Sequence, residues 1–374
     1  MLAIRVGIEK NGLMRGAPDP QLAMLSSLST EDLIPPDHPI RRIRVVVDTV
    51  LAGMDDTFEC MYAAGGRRSV PPETLLKSTM LMALYSIRSE RAFCEQLNYN
   101  LLFKWFLDMR IDQPAFDATT FTKNRRRLLE AEVADEFFAA VVDQAKLRRY
   151  LSSDHFSVDG TLLEAWASHK SFKPKAGAPT EPPAGRNAEV AWHGEKRSNE
   201  THASTTDPES RLARKSNGSP AKLCYAGHLL MEHRSALIVD AELTTADGYA
   251  ERATAFEMLA RLPASARRRT VAGDKGYDTR GFVAQARQLG FTPHVAQNNS
   301  RQRSAIDRRT TRHAGHAVSM RIRKRIEEPF GWIKTIAGGR KLRYRGRERN
   351  RAWFRITTAV YNLIRITALD TQHA

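Results

Sequence analysis

Residues 155–161 read His-Phe-Ser-Val-Asp-Gly-Thr, and residues 268–278 read Arg-Arg-Thr-Val-Ala-Gly-Asp-Lys-Gly-Tyr-Asp. Each is a short run of strand-forming residues that closes on an aspartate, Asp159 or Asp274, beside a glycine. The first predicts a strand over 155–159, after which Gly160 permits the chain to turn. The second predicts a strand over 268–272. Outward from these, the alternating runs 222–231 and 237–243 predict an antiparallel hairpin turning at residues 232–235. Apolar spacing predicts helices over 250–262, 282–289, 321–335 and 351–369, with a strand over 292–296. Strands alternating with helices argue for a mixed α/β domain. Residues 170–220 are rich in Pro, Gly, Ser, Lys and Asn and read as a polar surface loop or disordered insert.

Residues 14–150 read as all-helical. Pro71-Pro72-Glu73 opens a helix whose apolar positions Leu75, Leu76, Met80, Leu81 and Leu84 recur at helical spacing. Ser89 precedes another, and Asp117-Ala-Thr-Thr120 forms an N-cap before a basic turn containing Lys123, Arg125, Arg126 and Arg127. Either that turn contacts phosphates, together with helix 89–108 as a helix-turn-helix-like reader, or it is a solvated face. The expected organisation is a helical domain over 14–150, followed by an α/β domain over 151–374.

The chain has 374 residues, with 58 Lys+Arg against 42 Asp+Glu and a formal charge of +16. Residues 301–350 hold 16 of those basic residues and four acids. So one-sided a segment points to a polyanion, nucleic acid first. No apolar run approaches the ~20 residues that span a bilayer. The first residues lack the apolar region of a secretory signal. Three scattered cysteines exclude a disulfide scaffold and a zinc-ligand spacing, and fit a reducing cytoplasm.

Glu327, in Arg321-Ile-Arg-Lys-Arg-Ile-Glu-Glu-Pro-Phe330, is a carboxylate inside the basic segment. With Asp159 and Asp274 at strand ends it makes a set of hard oxygen ligands suited to Mg²⁺ or Mn²⁺. Two such ions can clamp the attacking and leaving oxygens of a phosphodiester displacement. Singly, each acid has a plainer reading: Asp159 and Asp274 as turn formers, Glu327 as a helix partner of Arg323.

From about Asp37 onwards these stretches together resemble the DDE transposases of the bacterial insertion sequence 5 group. The segments GRRSVPPETLLKSTMLMALYSIRSERAFCEQLNYNLLFKWFLDM, FSVDGTLLEAWAS and VAGDKGYD carry the resemblance, with Arg323, Glu327 and Lys334 at the family's Arg-x3-Glu-x6-Lys spacing. The family's preceding tyrosine is replaced by Met320. The resemblance implies a ribonuclease H-like catalytic domain with Asp159, Asp274 and Glu327 as catalytic metal ligands. It implies two Mg²⁺ ions, with Mn²⁺ as a substitute, and Arg323 and Lys334 at phosphates. It implies binding to the element's terminal inverted repeats, strand hydrolysis and joining of the freed 3′-hydroxyl to target DNA. A homo-oligomer on DNA in the bacterial cytoplasm, nucleoid-associated, is expected. The alternatives are a catalytically silent DNA-binding repressor and a plain nuclease. The resemblance begins late enough that residues 1–13 are read as a non-native leader, with Met14 as the start.

Overall fold

The computed structural model describes residues 29–61, 69–130, 132–176, 190–192, 195–216, 218–299 and 303–373. The expected leader and parts of the 170–220 insert lie outside them.

Eight helices come first: α1 (Thr30–Leu33), α2 (Pro39–Ala52), α3 (Asp55–Cys60), α4 (Pro72–Leu84), α5 (Glu90–Tyr99), α6 (Leu101–Phe106), α7 (Ala118–Glu130) and α8 (Val133–Leu147). Local chemistry sets their starts. Pro39 and Pro72 open α2 and α4, where the missing N–H costs nothing. Ser89 Oγ accepts from Ala92 N at 3.1 Å, and Asp117 Oδ1 accepts from Thr119 N and Thr120 N. Residues 75–83 of α4 are all buried, so it is a central helix covered on every side.

The strands follow: β1 (His155–Glu164), β2 (Phe172–Pro174), β3 (Val190–Trp192), β4 (Glu195–Arg197), β5 (His202–Ser204), β6 (Arg211–Ala213), β7 (Lys222–Glu232) and β8 (Ile238–Thr245). After α9 (Ala250–Arg261) come β9 (Arg269–Gly273), α10 (Arg280–Gln288) and β10 (Phe291–Val295). The main sheet runs β10-β9-β1-β7-β6, with β8 also on β7. β1, β9 and β10 are mutually parallel, and β7 is antiparallel to β1, β6 and β8. The predicted hairpin is β7–β8. Gly160 does not end β1: the strand continues to Glu164 because β7 pairs with it throughout.

The described part of the 170–220 segment is not a featureless loop. β2 pairs with β5, and β6 adds to the main sheet. Ser198, Thr201, His202, Ser204, Asp207 and Ser210 are buried by hydrogen bonding rather than apolar packing. Asp207 Oδ1 accepts from Tyr225 OH at 2.7 Å, for example. Composition therefore misled, since short polar strands satisfied by side chains carry no apolar alternation.

The chain ends with α11 (Arg308–Thr311), α12 (Ala314–Ile322), a 3₁₀ turn over Arg323–Ile326, α13 (Glu327–Thr335) and α14 (Arg347–His373). The expected single helix 321–335 is broken because Pro329 cannot donate to Arg325 O and its ring crowds that carbonyl. The break leaves Pro329 in the first turn of α13, where it is tolerated.

The two expected domains share one hydrophobic core that runs from Ile34 through the helices to α14 and the sheet. α14 is the joint. Asn362 Oδ1 accepts from Ile238 N at 2.9 Å and its Nδ2 donates to Ile238 O at 2.7 Å, satisfying the edge of β8. Arg351 and Arg355 of α14 reach Asp135 of α8 and Glu242 of β8. A smaller core of Phe156, Val158, Val271, Tyr277, Phe282 and Phe291 lies on the other side of the sheet, under α9 and α10.

Candidate active site

The parallel register pairs His155 with Thr270 and Ser157 with Ala272. Continued by two residues, it sets Asp159, midway along β1, beside Asp274, which directly follows the last residue of β9. Both line a cavity of about 640 Å³ together with Gly160, Thr161, Glu164, Asp247, Glu251, His228 and Lys334.

The sequence around Asp274 is shaped by close contacts. Asp274 Oδ1 accepts from Gly276 N at 2.7 Å, and a Cβ on Gly276 would lie 2.9 Å from that oxygen. A Cβ on Gly273 would lie 2.9 Å from the Tyr277 ring, which is fully buried against Phe282. Asp278 accepts from Asn298 N and Ala305 N, tying down the chain after β10. The Gly-Asp-Lys-Gly-Tyr-Asp run is thus one packed turn that presents the Asp274 carboxylate.

Gly160 has a similar explanation. A Cβ there would meet Glu251 Cγ at 3.1 Å, His228 Nδ1 at 3.2 Å and Glu251 Oε1 at 3.3 Å. Glu251, at the start of α9, therefore leans over β1 toward Asp159. Its carboxylate also accepts from the Tyr277 hydroxyl. Three carboxylates face one corner, and among the described residues none of them is salt-bridged. Burial first, then Glu251 and Asp274, pushes the Asp159 carboxyl up to about 7, with the Gly160 amide and Arg323 opposing. Burial and then Asp274 push Glu251 up as well. Among the described residues no group of three or more His, Cys, Asp or Glu side chains is placed so that it could hold a metal ion. The crowded carboxylate oxygens are nonetheless the donor set of a hard cation, whose charge would relieve their repulsion.

The opposite wall is basic: Arg214, Lys215, Lys222, Lys334 and Arg340. Lys334 Nζ donates to Thr161 Oγ1 at 2.5 Å. Burial, and after it Lys215, draws its ammonium below the ordinary lysine range. Arg323 acts on Asp159 from the 3₁₀ turn, and its Nε is buried without a partner. An acidic corner facing a cationic wall fits a phosphodiester held beside a metal site.

The family described as "Transposase DDE domain" matches residues 152–363, and one described as "Transposase domain (DUF772)" matches residues 28–127. The chain belongs to the transposase DDE domain family. It is a DDE-type DNA transposase. No curated protein matches it. Among solved structures the transposase is similar to a piggyBac transposase synaptic complex with hairpin DNA, at 9% identity and a TM-score of 0.39, covering 89% of this chain and 76% of that one. It is also similar to a Mos1 transposase paired-end complex with left transposon end, at 11% identity and a TM-score of 0.20, covering 75% and 84%. At such scores neither likeness defines the fold.

The remaining sequence-predicted residues of the transposase divide by burial. Glu327 opens α13, is exposed, and is not among the residues lining the cavity. It shares a helix stripe with Lys334, about two turns, or roughly 10 Å, nearer the N-terminus. Lys123, Arg126 and Arg127 are exposed on α7, as a phosphate-contacting face requires. Arg125 is the exception. It is 3% exposed, forms a salt bridge with Glu90, and sits over the rings of Phe121 and Tyr344. A buried, paired guanidinium holds helices together and cannot reach DNA. Sequence reading missed Glu251, His228 and the wall residues Arg214, Lys215, Lys222 and Arg340. The only available signal for Glu251 was Gly160, read as a turn residue rather than as clearance for a neighbour.

No helix of the described residues is long and apolar enough to cross a membrane.

Proposed function

We propose that the chain is the transposase of an insertion sequence 5-group element, with a ribonuclease H-like catalytic domain. It binds the element's terminal inverted repeats, hydrolyses a strand at each end and joins the freed 3′-hydroxyl to target DNA. The observation that carries this reading is the placement of Asp159 on β1 and Asp274 at the end of the adjacent parallel strand β9, facing a cationic wall across one cavity.

In this reading Asp159, Asp274 and Glu327 hold Mg²⁺ or Mn²⁺, as two ions. When bound, the metal activates water or the 3′-hydroxyl and stabilises the leaving oxygen. Glu327 is exposed and lies outside the cavity lining, so in this reading it joins the ligand set only in the DNA complex. Lys334, fixed by Thr161, places one phosphate oxygen, and Arg323, whose charge acts on Asp159, neutralises another. Arg214, Lys215 and Arg340 follow the backbone away from the scissile bond. Lys123, Arg126 and Arg127, on the helical part, contact the element ends. The active form is a homo-oligomer on paired ends, working in the bacterial cytoplasm at the nucleoid.

The test is Mg²⁺-dependent cleavage of a duplex carrying the element's terminal repeat, by wild type and Asp274→Ala. Wild type should nick at the repeat boundary, and the variant should bind equally without cutting. Binding by wild type with no cleavage in Mg²⁺ or Mn²⁺ would instead make the chain a transposase-derived repressor.

A further inference from the structure

The Asp159–Asp274 corner contains a carboxylate and an imidazole that neither the DDE pattern nor the chemistry above uses. Each carboxylate of the corner has an anchoring donor: Gly160 N at 2.9 Å for Asp159 Oδ1, Gly276 N at 2.7 Å for Asp274 Oδ1, and the Tyr277 hydroxyl for Glu251. None is drawn away by a salt bridge among the described residues, so the orientations are set by neutral donors and the negative charge stays in the corner.

His228, on β7, is 1% exposed and lines the same cavity. His228 Nε2 and Thr244 Oγ1 are hydrogen-bonded at 2.8 Å. His228 Nδ1 is buried without a partner and points at the same spot above Gly160 as the Glu251 carboxylate. A buried ring nitrogen needs a hydrogen-bond partner, and the described residues supply none. Water on a cation held by those carboxylates would supply one, along with the positive charge that the corner lacks.

We propose that Glu251 is a further metal-ligating carboxylate, which with Asp159 and Asp274 holds a divalent cation before DNA binds, while His228 Nδ1 hydrogen-bonds a water on that cation. The inference rests on the metal-dependent reading above and adds to it. Glu251 and Glu327 would act at different stages, the first in the free protein and the second on the DNA complex. Gly160 is then part of the site, since any side chain there would push Glu251 and His228 aside.

The experiment is Mn²⁺ binding to the purified full chain without DNA, followed by electron paramagnetic resonance, for wild type, Asp159→Asn, Glu251→Gln, Glu251→Asp and Glu327→Gln. Melting temperatures of the metal-free proteins establish which variants are folded. Asp159→Asn should weaken Mn²⁺ at least tenfold. Glu251→Gln should weaken it five- to tenfold, and Glu251→Asp, whose carboxylate is withdrawn by one methylene, by less. Glu327→Gln should change it less than twofold. Wild-type affinity in a folded Glu251→Gln or Glu251→Asp, with affinity lost in Asp159→Asn, would overturn the role of Glu251 and leave the metal reading standing. Wild-type affinity in Asp159→Asn would remove the metal corner itself, and the role of Glu251 with it.

Discussion

The Lys334 ammonium donates to Thr161 Oγ1 at 2.5 Å, tying α13 to β1 two residues beyond Asp159. The lysine enters from the late basic segment, yet it is half-buried in the cavity wall and faces the acidic corner. Its charge is therefore oriented before any phosphate arrives, which lowers the cost of stabilising charge that develops in the transition state. Lys334→Met should reduce single-turnover nicking of the repeat by about 10²-fold, while the dissociation constant for the same duplex changes less than tenfold. Thr161→Val, which removes only the tether, should cost a few-fold. Equal losses in cleavage and binding for Lys334→Met would reassign the lysine to ground-state binding.

Asp159→Asn should stabilise the metal-free protein at pH 8. The native carboxyl is pushed up to about 7 from an ordinary value of 3.8, chiefly by burial. Its stabilising contribution is complete below pH 3.8 and is lost as pH rises through about 7. The advantage of the variant should thus be largest above pH 7, on the order of 1–3 kcal/mol, and shrink toward pH 4. Thermal melts across that range check it. With millimolar Mg²⁺ the order should reverse, because only the wild type gains from the cation.

Arg125 and Lys123 lie two residues apart on α7 and should behave oppositely. Arg125→Ala strands Glu90 in a largely buried position and should cost roughly 3–5 kcal/mol in urea unfolding. Folded Arg125→Ala should bind DNA like wild type. Lys123→Ala should leave stability within about 0.5 kcal/mol and lower the slope of log K against log salt by about 0.9 if it neutralises one phosphate.

The ion network of α14 should prove essential to the union of the helical and sheet parts. Arg355 reaches Asp135, Asp240 and Glu242, and Arg261 approaches Asp240 at 2.8 Å. Burial works to raise Glu242, but Arg351 and Arg355 carry its carboxyl below the usual range. Arg355→Ala leaves Asp240 to Arg261 and Asp135 and Glu242 to Arg351, and should cost roughly 1.5–3 kcal/mol, more than Arg355→Met, which keeps the packing of the stem. Urea unfolding of both variants measures the difference.

Much of this was written locally in the sequence. Asp159 and Asp274 close runs whose composition favours strands, the hairpin is legible as two alternating runs around a polar turn, and prolines mark the starts of α2 and α4. These are one-dimensional signals, because backbone propensity and side-chain period act over a few residues. What only the tertiary structure decided is who meets whom. Gly160 is small because Glu251, far along the chain on α9, and His228 on the neighbouring strand both lean over it. Arg125 is indistinguishable in sequence from Arg126 and Arg127, yet helix phase turns it inward to Glu90. Pro329 splits the helix that carries Arg323, Glu327 and Lys334, so residues at a regular spacing differ in burial and in reach. Charge and spacing name the groups a chain possesses. Burial and long-range packing, which depend on the whole core closing at once, decide which of them share a cavity.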